Sequence, residues 1–74
     1  MKLEIEVPDD FVIICLRDSA TLQIDTIKTM LIHINKETDK NKIAVHQADI
    51  QSCKEILYHL NEIISYYGGE RINL

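Results

Sequence analysis

Hydrophobic and polar positions change rhythm several times along the chain. Between residues 2 and 7 they alternate, with Lys2, Glu4 and Glu6 against Leu3, Ile5 and Val7. A period of two predicts a short strand with one buried face. Pro8 ends it, having no N–H to give to a ladder. From Ile13 the steps become threes and fours: Ile13, Leu16, Ala20, Ile24, Ile27, Leu31 and Ile34, a stripe widened by Met30. That spacing predicts a helix over about residues 9–35, and Pro8, Asp9 and Asp10 suit its positive end. A β-hairpin over residues 2–16 competes with this. Phe11–Leu16 is an unbroken apolar run rich in β-branched and aromatic side chains, and Pro8-Asp9-Asp10 could serve as the turn.

Residues 35–42 contain no apolar side chain and predict a surface loop. Ile43-Ala44-Val45 is a short apolar step expected to fold back onto the helix ends, after which His46 or Asp49 caps a second helix over about residues 47–67. That helix carries a heptad seam, Ile50, Cys53, Leu57, Leu60, Ile64 and Tyr67, with Ile56 and Ile63 forming a row beside it. Gly68-Gly69 stops it, because glycine takes the left-handed conformation of a helix C-cap. The tail, residues 70–74, is expected to be loose unless a partner holds it.

Two helices joined by such a loop pack antiparallel as a hairpin. A hairpin uses one seam per helix, and here each helix has more than one. The fold expected for residues 1–74 is therefore mainly α: one domain, a helical hairpin with a short N-terminal β-strand, assembling as an oligomeric helical bundle. The expected oligomer interface is Ile50, Cys53, Ile56, Leu57, Leu60, Ile63, Ile64 and Tyr67. Length points the same way, since a chain of 74 residues buries only about 60% of its unfolded surface and is marginal alone.

Charge narrows the partners. A net charge of −4 argues against nucleic acid, which needs clustered Lys and Arg, and against anionic membranes. The only basic stretch, Lys36, Lys40 and Lys42, is interleaved with Glu37 and Asp39. No apolar run approaches the ~20 residues that span a bilayer, and the acidic N-terminus is unlike a signal peptide, so a cytoplasmic location is expected.

Candidate chemistry is sparse, and the chain is expected to be no enzyme and to hold no cofactor or metal. His33 and His46 flank the loop and could approach each other, but no helical His or Cys chelating pair accompanies them. Cys15 and Cys53 lie in apolar runs and are expected to be packed, free thiols. With Ile34 near Ile50, Cys15 falls opposite about Gly69, at the far end from Cys53. Asp18 with Asp25, and Glu55 with Glu62, share faces opposite the seams and read as solvated. Tyr58 and Tyr66 point off the seam, as large amphipathic side chains do at interfaces. With Arg17 and Arg71 they make the candidate surface for a partner or ligand.

The segment Asp49–Gly69, with an acid at its start, paired aliphatics and the ending Ile63-Ile64-Ser65-Tyr66-Tyr67-Gly68, resembles a group of small, mostly uncharacterised bacteriophage proteins. These also open with an alternating strand like Lys2–Val7, then a helix and a polar loop, so the resemblance covers most of the chain. Its motifs are generic heptads plus Tyr66-Tyr67-Gly68, and Asp9–Leu16 departs from it by carrying less charge. No catalytic residue carries over. The resemblance implies a phage origin and a role in manipulating the host. The function expected is a homo-oligomeric binding protein that inhibits or modulates a host protein, including a defence; the alternative is an oligomer that sequesters a small nucleotide-type ligand.

Overall fold

The computed structural model describes residues 6–74, which form two antiparallel helices, α1 (Asp9–Lys36) and α2 (Lys40–Tyr66), and a C-terminal segment. The competition at Phe11–Leu16 resolves to helix, because α1 runs without a break from Asp9. Of the strand expected over residues 2–7, residues 2–5 lie outside the described range, and Glu6 and Val7 belong to no regular element.

Pro8 precedes α1, and its carbonyl accepts from the N–H groups of Phe11 and Val12 at 3.0 and 3.2 Å. Asp9 and Asp10 fill the first turn, where the helix dipole favours negative charge. Three threonines inside α1 are poor helix formers, yet each keeps its hydroxyl on the preceding turn. Thr21, Thr26 and Thr29 donate to the carbonyls of Arg17, Leu22 and Asp25 at 2.9 Å.

The connection is shorter than the polar run suggests, only Glu37-Thr38-Asp39. Glu37 Oε1 accepts from the N–H groups of Thr38 and Asp39, both at 3.1 Å. Asp39, not His46 or Asp49, caps α2, its Oδ1 accepting from the Asn41 N–H at 2.9 Å. Lys40, Asn41 and Lys42 are therefore the solvated first turn of a helix, and Ile43-Ala44-Val45 is helical, not a separate step.

With that correction the heptads extend over the whole hairpin. Ile13, Ala20, Ile27 and Ile34 recur every seventh residue in α1, and Ile43, Ile50, Leu57 and Ile64 do so in α2. Ala20, Ile27, Ile50, Leu57 and Ile64 of this first row are buried, Ile27 and Ile64 almost completely. A second row, Leu16, Gln23 and Met30 against His46, Cys53 and Leu60, is only half-buried throughout. Leu31 belongs to the 3.6-residue stripe but to neither seven-residue row, and it is 49% exposed. Ile24 also lies off both rows but is buried in the core cluster with Ala20, Leu57 and Ile64, seven residues farther from the loop.

α2 ends in a Schellman turn: Gly68, at φ +84°, donates to the Ser65 carbonyl at 3.0 Å and Gly69 to that of Ile64 at 2.9 Å. Gly69 sits hard against α1, where an added Cβ would lie 2.8 Å from Ile13 Cγ2. The segment beyond it is held, contrary to the loose tail expected. Ile72 packs on the cluster of Ala20, Ile24, Leu57 and Ile64. The Asn61 side-chain amide donates to the Ile72 carbonyl at 2.7 Å, and its Oδ1 accepts from the Ile72 N–H at 2.8 Å.

Candidate functional site

The helical wheel puts a different flank beside each row of the hairpin. Ile24, Arg17, Lys54 and Asn61 flank the first row, and Val12, Ile56 and Ile63 flank the second. The two sides of the molecule are consequently unlike.

The first-row side is closed over its terminal half by the C-terminal segment. Besides the Asn61 clamp, Arg17 donates to the Glu70 carbonyl at 2.6 Å, and Arg71 pairs with Glu62 at 2.6 Å. That pair is half-exposed and contributes under ~1 kcal/mol, so its effect is mainly to orient the segment. Asn61 is the residue sequence periodicity did not single out. At 5% exposure it is the one buried polar side chain among the described residues, and it satisfies an extended backbone as a neighbouring β-strand would. Its only sequence signal is a polar residue on the flank of the seam, whereas the other polar residues of α2 mostly lie outside.

Two of the four candidate surface residues are thus engaged within the chain. Arg17 and Arg71 hold the C-terminal segment, while Tyr58 and Tyr66 remain exposed. Tyr66 meets Tyr67 edge to face at 5.3 Å between ring centroids. Tyr58 and Arg71 do come together, lining a shallow recess of about 250 Å³ with Lys54, Asn61, Asn73 and Leu74.

The second-row side has no such cover. Of the eight residues expected at an oligomer interface, Ile50, Leu57 and Ile64 are buried inside the hairpin and cannot meet another chain. Cys53 and Leu60 stay half-buried on the open side. Ile56 is 45% and Ile63 43% exposed, with Tyr67 close behind. At the loop end of this side, the His33 and His46 rings stack with centroids 5.8 Å apart and planes inclined by 22°. The His46 Nδ1 is buried without a hydrogen-bond partner. A third ligand is lacking: among the described residues no group of three His, Cys, Asp or Glu side chains could hold a metal.

Both cysteines are free, and Cys15 is exposed instead of packed, because Leu16 and not Cys15 falls on a heptad row. The contact of Gly69 with Ile13 sets the hairpin register. It places Cys15 near Tyr67, fourteen residues from Cys53, or roughly 20 Å along α2 at 1.5 Å per residue. A disulfide needs Cα atoms within about 7 Å. Native protein analysed by non-reducing mass spectrometry should show no intrachain Cys15–Cys53 link; finding one would mean that the register is wrong.

No helix of the described residues is long and apolar enough to cross a membrane. Comparison with family models, curated proteins and solved structures gave no match.

Proposed function

We propose that the protein is a non-enzymatic binding module that works as a homo-oligomer in the cytoplasm and engages a protein partner. One observation carries this: the hairpin uses only one row per helix for its own core and leaves large apolar side chains on both helices in water. The resemblance to small bacteriophage proteins supports a host protein as that partner, with this chain as its inhibitor or modulator, for example of a defence. Tyr58 and Tyr66, exposed and off the core, are the side chains offered to it.

Static light scattering at micromolar concentration should give a dimer mass or larger, and a monomer mass would end the oligomer reading. For the partner, alanine at Tyr58 and Tyr66 together should leave the melting temperature within a few degrees, because neither ring supports the core. The same variant should fail to capture from host lysate a protein that the wild type captures. A large loss of stability would move the tyrosines into the fold; undiminished capture would move the partner surface elsewhere.

A second reading keeps one specific observation, the recess where Lys54, Tyr58, Arg71 and Asn73 converge. Two cations and an aromatic ring suit a small anionic, nucleotide-type ligand. A thermal-shift screen with nucleotides distinguishes it, since tight binding raises the melting temperature by mass action.

A further inference from the structure

We infer that a second copy of this chain docks on the second-row side of the hairpin, over Val12, Leu16, Ile56, Leu60 and Ile63. The inference rests on the proposed self-association and assigns it a face.

Three observations select this face and this occupant. The first is the difference between the rows. Five of the eight first-row residues are buried, whereas no second-row residue is, although both rows run between the same two helices. The C-terminal segment lies over the terminal half of the first row, and nothing among the described residues lies over the second.

The second is area. The chain exposes 5908 Å², whereas a folded monomer of 8.6 kDa exposes ~4700 Å² by the usual scaling with mass. The difference, about 1200 Å², exceeds the ~800 Å² that each partner contributes to a standard interface. Shape agrees with this. The radius of gyration is 16.1 Å and the Cα extents are 53 × 31 × 14 Å, against ~11 Å for a compact domain of this length. A slab one helix thick has a core along one row only, and two slabs face to face make a four-helix bundle that buries the other.

The third is chemistry. A two-fold interface sets one patch against itself, so any charge inside it meets its own kind. The row from Ile56 to Ile63 with Val12 and Leu16 has none, its neighbours Ser19, Gln23 and Thr26 being small or neutral. Of the charged and titratable groups of this side, His33, Lys42, His46 and Asp49 gather at the loop end, while Asp9, beyond Val12, and His59, beside Ile56 and Ile63, stand at the rim of the patch. The first-row side, in contrast, is rimmed by Arg17, Lys54, Glu62 and Arg71 and does not suit self-pairing.

Lysine at both Ile56 and Ile63 tests the assignment. Each position is more than two-fifths exposed within one chain, so the variant keeps its helical circular dichroism. It should sediment as a monomer where the wild type is a dimer, with the dimer dissociation constant raised at least a hundredfold. Lysine at Ile32 and Tyr58, both exposed on other faces, should leave the dimer intact. If the Ile56/Ile63 variant retains the wild-type mass, the face is wrong although self-association stands; a wild type that is monomeric throughout removes the reading beneath it. Thiol labelling of the wild type needs no variant and settles the matter even if the double variant does not fold. Reaction of Cys53 with a maleimide should slow as protein concentration rises through the dimer range. A Cys53 rate independent of concentration overturns the proposal.

Discussion

Leu57→Asp should unfold the chain and abolish its association in one step. Leu57 is a first-row residue, buried against Ala20, Ile24 and Ile64. Truncating a buried leucine costs about 2–5 kcal/mol, and leaving a carboxylate there without a partner adds several more. A chain of 74 residues has only about 4–11 kcal/mol of total stability. The deficit cannot be absorbed, and circular dichroism should report a coil with no cooperative thermal transition. Leu60→Asp provides the contrast. Leu60 belongs to the second row and is half-buried, so its aspartate can reach water from the open side. That variant should keep a weakened helical hairpin while losing self-association. A folded, soluble Leu57→Asp protein would mean that the first row is not the core.

The hairpin itself was legible because its core residues obey a strict interval. Ile50, Leu57 and Ile64 announce a seam, and the glycines after Tyr67 announce its end. Boundaries at the loop were not, for a physical reason. The first turn of α2 has free N–H groups and a solvated exterior, so Lys40-Asn41-Lys42 looks like loop until Asp39 is known to cap it. His46 compounded this by putting a polar ring in the second row, ahead of Cys53 and Leu60. Leu31 and Ile24 share one flank of the seam, and only Ile24 lies in the cluster that Ile72 covers, so periodicity alone could not separate the exposed one from the buried one. The held C-terminal segment left no trace in the periodicity at all. Its main restraints are hydrogen bonds between a side chain and a backbone eleven residues away, and nothing about Ile72 as a letter reveals that its amide is paired.

Asn61→Ala should therefore produce the largest effect that hydropathy alone does not foresee. The substitution removes both bonds to Ile72, about 1–3 kcal/mol together, and loosens the cover over Ala20, Ile24 and Ile64. For a domain of this size that lowers the melting temperature by roughly 10 °C. Amide hydrogen exchange gives the decisive reading: the Ile72 N–H, protected in the wild type, should exchange at the rate of an unstructured segment. Retained protection at Ile72 would show that apolar packing alone holds the segment and that Asn61 is dispensable.

The three-residue connection between the helices also orders events in time. Because only three residues join α1 to α2, contacts between the helices can zip up from the loop end, each new pair closing little additional loop. Small helical proteins typically fold in microseconds to milliseconds. Docking of two specific patches, at about 10⁵–10⁷ M⁻¹ s⁻¹, takes on the order of a tenth of a second or longer at micromolar protein. Under the proposed self-association, each hairpin would thus be complete well before it met another copy. During that interval the second-row side chains would be open to any other protein that offered a matching surface, so the concentration of the chain itself would govern how long it stayed available.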